Sequence, residues 1–249
     1  MLQNGNFMAD WETLPAIPEA GYLRNQRPYH WQLEWLKLGQ PLYDDPNTEV
    51  TGIPECVHKL STQLPPNEQL GAPNALILDG STTYKIFSAA AVFGATLSQT
   101  VSGLQPGSRA TLTVPIQTHL RGETDPYGAE SGVWVNGEGG WVHGFEMGDR
   151  RWYRHIITFT VPPSGEAEVV IRVKSKWVRP KDFFFDGITL EAQPAVMPPP
   201  IVDPIDPSPG DTQVVYLQLP PGVRLEQGVH SQANVIQVNV PPGVRLEII

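Results

Sequence analysis

The chain has 249 residues, a formal net charge of −9 and one cysteine, Cys56. An acidic chain repels a phosphate backbone, which argues against nucleic acid as the main partner, and a lone cysteine excludes an internal disulfide. The 23 glycines and 26 prolines indicate many turns and few long helices, and the absence of an 18-residue apolar run predicts no membrane span.

Short apolar segments separated by glycine and proline predict an all-β fold, an antiparallel β-sandwich. Residues 1–8, with a turn at Asn4-Gly5, are predicted to form the first strand, and residues 30–38 the second. Residues 39–75 contain six prolines and are predicted to be a long loop. The remaining predicted strands are 75–78, 83–87, 95–101, 110–120, 132–136, 140–145, 153–161, 167–174 and 182–191.

The C-terminal part has a different character. Residues 192–212 contain seven prolines and are predicted to be an extended linker. Residues 213–249 contain Pro-Pro-Gly-Val-Arg-Leu-Glu twice, beginning at Pro220 and Pro241, and each copy predicts a small β-hairpin. Two such units bury little apolar surface by themselves. We therefore predict a homo-oligomer or larger assembly formed through residues 192–249.

Three short motifs resemble those of a known group of domains. Asn4-Gly5-Asn6-Phe7 resembles the opening of the jelly-roll carbohydrate-binding modules of the CBM4/9/22-like group. Residues 96–101, followed by Leu104-Gln105-Pro106-Gly107, look like the middle strand and turn of that group, and residues 184–188 look like its closing strand. The resemblance covers residues 2–191 and implies a jelly-roll sandwich with a glycan ligand.

The same resemblance implies a structural calcium ion that joins the first and last strands through oxygen ligands. By position, Asn6 and Asp186 are the candidate metal ligands. The chain departs from the pattern of the group at Met8, where an acidic residue is common, and at Gly187, where a second Asp is frequent. The alternative is that Asn6 shapes a turn and Asp186 binds backbone groups.

Aromatic and polar side chains suggest a ligand site. The C–H face of a pyranose stacks on flat aromatic rings, and its hydroxyls bind planar polar groups. For each candidate tryptophan, the alternative is burial in the core. For His119 and Arg121, which flank Leu120, the alternative is a solvated strand end. The candidate ligand-binding residues are Trp134, Trp141, Tyr127, His143, Trp177, His119 and Arg121.

Residues 150–181 are locally basic in an acidic chain. Lysine and arginine at strand edges prevent edge-to-edge pairing, so this region is either a solvated surface or a site for an acidic partner or an anionic polysaccharide. The basic residues that indicate this include Arg150, Arg151, Arg154, Lys174, Lys176, Arg179 and Lys181.

No nucleophile elbow, metal-binding histidine pair or activated cysteine is found in the sequence, so we predict that the chain is not an enzyme. Two functions remain open. The first is a surface or assembly protein with a glycan-binding-like sandwich, such as a virion decoration, head-fibre or tail component. The alternative is a carbohydrate-binding module of a polysaccharide-degrading system. Residues 1–5 lack the features of a signal peptide, which predicts cytoplasmic synthesis and, for the first function, a virion surface; secretion is the alternative if a leader was removed.

Overall fold

The computed structural model describes residues 1–192, which lie in the first of two units of the chain, 1–197 and 198–249. The predicted repeat tail, 213–249, and the linker after Ala192 lie outside the described residues. In the described part, no helix is long and apolar enough to cross a membrane.

The described residues form short, mostly extended elements. In chain order the strands are β1 (Trp11–Thr13), β2 (Gln26–Pro28), β3 (Gln32–Trp35), β4 (Pro41–Leu42), β5 (Asp45–Glu49), β6 (Glu55–Leu60), β7 (Thr82–Ser88), β8 (Phe93–Val101), β9 (Arg109–His119), β10 (Ala129–Val135), β11 (Glu138–His143), β12 (Trp152–Thr160), β13 (Ala167–Ser175), β14 (Lys181–Phe185) and β15 (Thr189–Ala192). The helix α1 is Gly144–Met147, and single 3-10 turns are Pro18–Ala20, Ser61–Gln63, Pro66–Glu68 and Pro126–Gly128.

Two antiparallel sheets pack face to face. The five-stranded sheet has the order β11-β10-β13-β8-β3, and the six-stranded sheet has the order β12-β9-β14-β7-β6, with β15 also paired to β9. Along strands such as β13, residues that pack against the other sheet alternate with residues on the outer face, so one face of each sheet is buried. The predicted all-β antiparallel sandwich is confirmed.

The core lies between the two sheets. Phe93 of the five-stranded sheet contacts Phe183 of the six-stranded sheet edge to face, with ring centroids 6.2 Å apart. Because alternate residues of a strand point to opposite faces, the residues between these buried ones are left outside the core. The other buried side chains that fill the core include Leu97, Val133, Ile171, Ile86 and Val114.

The prediction of a strand at residues 1–8 was wrong. Asn4 and Phe7 have φ angles of 51° and 53°, and left-handed residues cannot continue an extended strand. The segment instead delivers the Phe7 ring into the core, where it stacks on Trp31 at 6.0 Å and Tyr84 at 5.3 Å. Trp31 is thus buried, whereas Trp35 and Trp152 are half-buried.

The predicted loop at residues 39–75 was wrong in part, because it contains β4, β5 and β6. Strand β6 pairs with β7 along its whole length, and Pro54 and Pro65 stand just outside it, where a missing N–H disrupts no ladder bond. Cys56 of this strand is fully buried, and burial raises the pKa of its thiol.

Two other predicted strands also differ from the structure. Residues 75–78 form no strand, because the N–H groups of Leu76 and Leu78 donate to the Glu68 carbonyl and to Asp186 Oδ2 rather than to a neighbouring strand. The predicted strand 182–191 is divided into β14 and β15 at Gly187, whose φ of 68° requires a left-handed backbone.

A buried ion pair fixes the loop between β9 and β10. Lys181 Nζ lies 3.1 Å from Glu123 Oε2, and the side chains are 0% and 3% exposed. Glu123 Oε1 also accepts the N–H groups of Thr124 and Asp125. Burial opposes ionisation of Glu123, but these N–H groups and Lys181 outweigh it and lower the pKa of the carboxyl. The pair therefore stabilises the loop at neutral pH, and this contribution is lost as the pH falls through the lowered pKa.

Replacing Lys181 by Met should destabilise the fold by about 3–5 kcal/mol, because Glu123 would remain charged and buried without its partner. Urea unfolding followed by circular dichroism measures the loss. The double variant Lys181→Met/Glu123→Gln, which removes both charges, should lose less. Equal losses in the single and double variants would show that the ion pair is not the cause.

Candidate functional site

The outward face of the five-stranded sheet brings together Trp134 and Trp141, which flank the glycine-rich turn at Gly137-Glu138-Gly139. Gly132 of β10 lies opposite Trp141 of β11 on one side and Arg172 of β13 on the other, and Arg172 lies opposite Thr96 of β8. Trp134 is two residues after Gly132 on β10 and therefore points to the same face. We call this surface the aromatic face.

Trp134 and Trp141 form a perpendicular pair on this face. Their ring centroids are 5.1 Å apart with an interplanar angle of 82°, and both side chains are half-buried. The Trp134 ring lies over Gly132, because a Cβ at that position would collide with it. A residue without a side chain therefore lets the ring lie close to the sheet while part of the ring faces solvent.

Tyr43 adds a third ring, delivered by the hairpin of β4 and β5. Its ring lies over Gly94, where a Cβ would come within 2.5 Å of Cε2, and 5.4 Å from the Trp141 ring. The Tyr43 hydroxyl is 2.9 Å from Thr96 Oγ1. Burial raises the pKa of this phenol to about 12, so it is neutral at physiological pH and forms a fixed wall of the face.

Two cations of β13 lie among the rings. The Arg172 guanidinium is 5.1 Å from the Trp134 ring and 5.3 Å from the Tyr43 ring. Its Nε is buried and has no hydrogen-bond partner, and no ion pair of Arg172 is found in the described part of the chain. Cation–π contacts hold the planar group in place, while its charge is not neutralised by a carboxylate.

Lys174 differs from Arg172 because its charge is paired with two carboxylates. Its Nζ lies 4.2 Å over the Trp141 ring, 2.9 Å from Glu130 Oε2 and in contact with Asp44 Oδ1. This network ties the β4–β5 hairpin to β13, and a second pair, Lys176 with Asp45 at 2.8 Å, continues it.

Tyr127, His143 and Trp177 lie at one end of the same side of the sheet. His143 follows Trp141 by two residues on β11, and its ring is 5.4 Å from the Tyr127 ring. Trp177 Nε1 donates to Asp125 Oδ2 at 2.8 Å, while Asp125 Oδ1 accepts the N–H of Tyr127. The tyrosine and Trp177 side chains are exposed, at 55% and 43%, so both rings are available to a ligand.

The other two predicted ligand residues belong to the other sheet. His119 and Arg121 lie at the end of β9 in the six-stranded sheet, and both approach Asp182: Arg121 Nη2 at 2.9 Å and His119 Nδ1 at 3.8 Å. His119 is buried, and burial lowers its pKa to about 4. The seven predicted ligand residues therefore divide between two surfaces.

The candidate metal ligands Asn6 and Asp186 are close to each other through Asp79. Asn6 Nδ2 donates to Asp79 Oδ2 at 3.0 Å. Asp186 accepts the N–H groups of Leu78 at 2.6 Å, Asp79 at 3.0 Å and Gly187 at 2.7 Å. These contacts satisfy the carboxylate with backbone donors, and no group of three or more His, Cys, Asp or Glu suited to a metal is found among residues 1–192.

The Asp186 carboxylate therefore binds backbone groups, which is the alternative to a calcium ligand that the sequence left open. Burial raises the pKa of Asp186 to about 6 while the three N–H donors oppose the rise. Calcium at this position stays a prediction.

Sequence reasoning missed Tyr43, Arg172 and the carboxylates around Lys174. The polar residues at 172 and 174 alternate with buried valines on β13, so their outward direction could be read from the pattern. Tyr43 lies in a proline-rich segment without periodicity, and no local signal places it over Gly94.

Comparisons with known proteins find similar solved structures but no similar sequence. No protein-family profile and no curated protein sequence matches this chain. Its structure is similar to the carbohydrate-binding module TmCBM61, solved with beta-1,4-galactotriose, at 13% identity and a TM-score of 0.47, covering 77% of this chain and 97% of that one.

Two further solved structures are similar. The CBM22-1 xylan-binding domain of Paenibacillus barcinonensis Xyn10C has 9% identity and a TM-score of 0.31, covering 74% of this chain and 96% of that one. The enzymatically active domain of bacteriophage CBA120 tailspike protein 4 has 11% identity and a TM-score of 0.41, covering 66% of this chain and 20% of that one. Carbohydrate-binding modules are thus among the structures that the fold resembles, as the sequence motifs predicted.

Replacing Gly132 by Ala should move the Trp134 ring and destabilise the fold by about 1–3 kcal/mol, since the new methyl overlaps the ring. Near-ultraviolet circular dichroism and urea unfolding measure both effects. Gly140→Ala on the adjacent strand is the matched control, because its Cβ would meet nothing within 4 Å, and it should change stability by less than about 0.5 kcal/mol. Identical spectra for the two variants would contradict the assigned ring position.

Proposed function

We propose that this β-sandwich is a non-catalytic glycan-binding domain whose ligand lies on the aromatic face. The observation that supports this most directly is the grouping of Trp134, Trp141 and Tyr43 on the outside of the five-stranded sheet, together with the unpaired Arg172. These rings lie on the outer face of the sheet and contribute nothing to the core, which is filled by side chains of the inner faces of the two sheets.

The chemistry of the face suits a sugar chain. The solvent side of the tryptophan rings offers flat surface to the C–H face of a pyranose. The Arg172 guanidinium presents a planar set of donors to hydroxyl or carboxyl oxygens. Strand β3 adds exposed polar side chains at the edge, where Glu34 lies opposite Thr96 and Gln32 opposite Ser98. Apolar platforms with a few convergent polar groups are the usual composition of ligand sites.

The face also suggests binding without catalysis. Glycoside hydrolysis requires two carboxyl groups placed on either side of the scissile bond, one of them with a raised pKa. Glu130 and Asp44 both contact Lys174, which lies over the Trp141 ring, so one oxygen of each carboxylate is engaged by the lysine. We therefore assign them to positioning the lysine and the β4–β5 hairpin.

Replacing Trp134 and Trp141 individually by Ala should weaken glycan binding at least about tenfold each, equivalent to about 1.4 kcal/mol, because each change removes a stacking surface. A glycan array identifies a ligand, and isothermal titration calorimetry of the full-length chain measures its affinity. Tyr22→Ala is the control, because Tyr22 is 74% exposed and lies away from this face.

Unchanged affinity in both tryptophan variants would place the ligand elsewhere. Release of shorter sugars during incubation with the array ligand, detected by mass spectrometry, would contradict the non-catalytic part of the proposal.

A second function, assembly into a surface structure such as a virion decoration, head-fibre or tail component, is favoured by the sequence of residues 192–249. The two identical Pro-Pro-Gly-Val-Arg-Leu-Glu segments after a proline-rich stretch are a repeated element too small to bury a core of its own. A glycan-binding sandwich and an assembly segment are compatible, because the first would recognise a surface and the second would attach it to other copies.

Truncation after residue 192 should reduce the molecular mass measured by light scattering to that of a monomer, while the full-length chain should form a defined oligomer. Circular dichroism of both forms checks that the sandwich remains folded. A full-length chain that elutes as a monomer at all concentrations would remove the support for assembly.

A further inference from the structure

The six-stranded sheet carries a cleft, on the side of the sandwich opposite to the aromatic face. It has a volume of about 280 Å³, which is close to the lower limit for small-ligand sites. Its floor is formed by outward side chains of β7, β14 and β9, namely Lys85, Phe184 and His119. The segment between β6 and β7 forms one wall, and Arg121 and Arg150 line the other.

The cleft concentrates positive charge in an acidic protein. Four cationic side chains line it: Lys59, Lys85, Arg121 and Arg150. Two carboxylates oppose them: Glu68 lines the wall, and Asp182 lies beneath, 2.6 Å from Lys85 Nζ and 2.9 Å from Arg121 Nη2.

Asp182 is itself 4% exposed. Burial opposes its ionisation, but Lys85 and Arg121 outweigh burial and lower the pKa of Asp182. This shared carboxylate therefore holds two of the cations in place without neutralising both.

The other two cations are not paired. No ion pair or side-chain hydrogen bond of Lys59 or Arg150 is found in the described part of the chain. Asp149, next to Arg150, does not line the cleft, and its Oδ1 accepts the N–H of Leu120 at 2.7 Å. Lys59 and Arg150 are thus both available to an anion that enters the cleft.

The backbone holds the two arginines in an uncommon conformation. Arg121 and Arg150 have φ angles of 53° each, and side-chain-bearing residues are strained in this left-handed region. The two segments are tied together, because Arg150 N–H donates to the Thr118 carbonyl at 2.9 Å. Glycine or asparagine would relieve the strain, so the presence of arginine at both positions is not explained by the local backbone.

Two of the three floor residues carry aromatic rings, which lie beside Lys85. The His119 and Phe184 rings are 4.9 Å apart, and His119 Nε2 bonds to Gln117 Oε1 at 3.0 Å. His119 is only 3% exposed, and its Nδ1 has no hydrogen-bond partner in the described part of the chain. Aromatic rings among cationic side chains match a ligand with a compact body and an anionic group, rather than an extended neutral chain.

We propose that this cleft binds the carboxylate or sulfate group of an acidic, monosaccharide-sized ligand, with Lys59 and Arg150 as the principal anion-binding residues. The site is independent of the glycan proposed for the aromatic face. Lys85 and Arg121, which remain paired with Asp182, add positive potential to the cleft.

Calorimetric titration of the full-length chain with glucuronate, glucose 6-sulfate, inorganic sulfate and neutral glucose tests the proposal at low ionic strength. We expect both sugar anions to bind, neutral glucose not to bind, and the affinity to fall as salt is added. The variant Lys59→Ala/Arg150→Gly should lower the affinity at least about tenfold. Glycine at 150 relieves the left-handed backbone, so loss of binding cannot be attributed to unfolding if thermal stability is unchanged or higher.

Two controls assign the binding to this cleft. Arg154→Ala removes one exposed cation of β12 outside the cleft and should leave the affinity unchanged, as should Trp134→Ala on the aromatic face. Equal binding of inorganic sulfate would support the anion site and identify a free inorganic anion as its occupant. Absence of binding by all three anions, or full binding by the Lys59→Ala/Arg150→Gly variant, would overturn the proposal.

Discussion

The alternation of side chains along β13 is the constraint on which both the sandwich and its outer surface depend. Val169, Ile171 and Val173 are buried between the sheets, and a strand with period two must place Arg172 and Lys174 on the other side. A register shift of one residue would bring these cations into the core and the valines to the surface. Packing of the interior therefore also determines where the charges that organise the rings must lie.

The two outer surfaces use their cations in different ways. On the aromatic face, Lys174 is neutralised by two carboxylates and serves to hold a hairpin over the sheet, while Arg172 lies between rings. In the cleft of the six-stranded sheet, the buried Asp182 is shared by two cations and two others remain unpaired. A net charge of −9 produces an average negative potential around the chain. The unpaired cations reverse the sign of that potential at the cleft, which concentrates anions there.

Much of the fold follows from local pattern, and the exceptions have specific causes. Strands with clear alternation, such as β9, β12 and β13, were placed within one or two residues by the sequence. The N-terminal segment was not, because its apolar residue Phe7 enters the core from a left-handed backbone rather than from a strand. Segment 75–78 was misread because its backbone donors bond to other groups: Leu76 N–H to the Glu68 carbonyl, and Leu78 N–H to the Asp186 carboxylate more than a hundred residues away.

The candidate site was predictable only for residues on regular strands near the glycine-rich turn. Trp134 and Trp141 were found as a pair, and their cross-strand contact follows from the hairpin. The contribution of Tyr43 depends on a hairpin that folds back over the sheet, and this is a tertiary contact without a sequence signal. His119 and Arg121 were selected by their spacing, but sequence could not show that their strand belongs to the sheet opposite the tryptophans.

The position of Cys56 gives the protein an internal reporter. Its sulfur lies in the sandwich interior with a raised pKa, so neither the thiolate nor the space that an alkylating reagent needs is present while the sheets remain packed. Modification of this single thiol therefore requires β6 to separate from its neighbours. The labelling rate consequently reports on opening of the sandwich at pH values where the exposed thiol ionises.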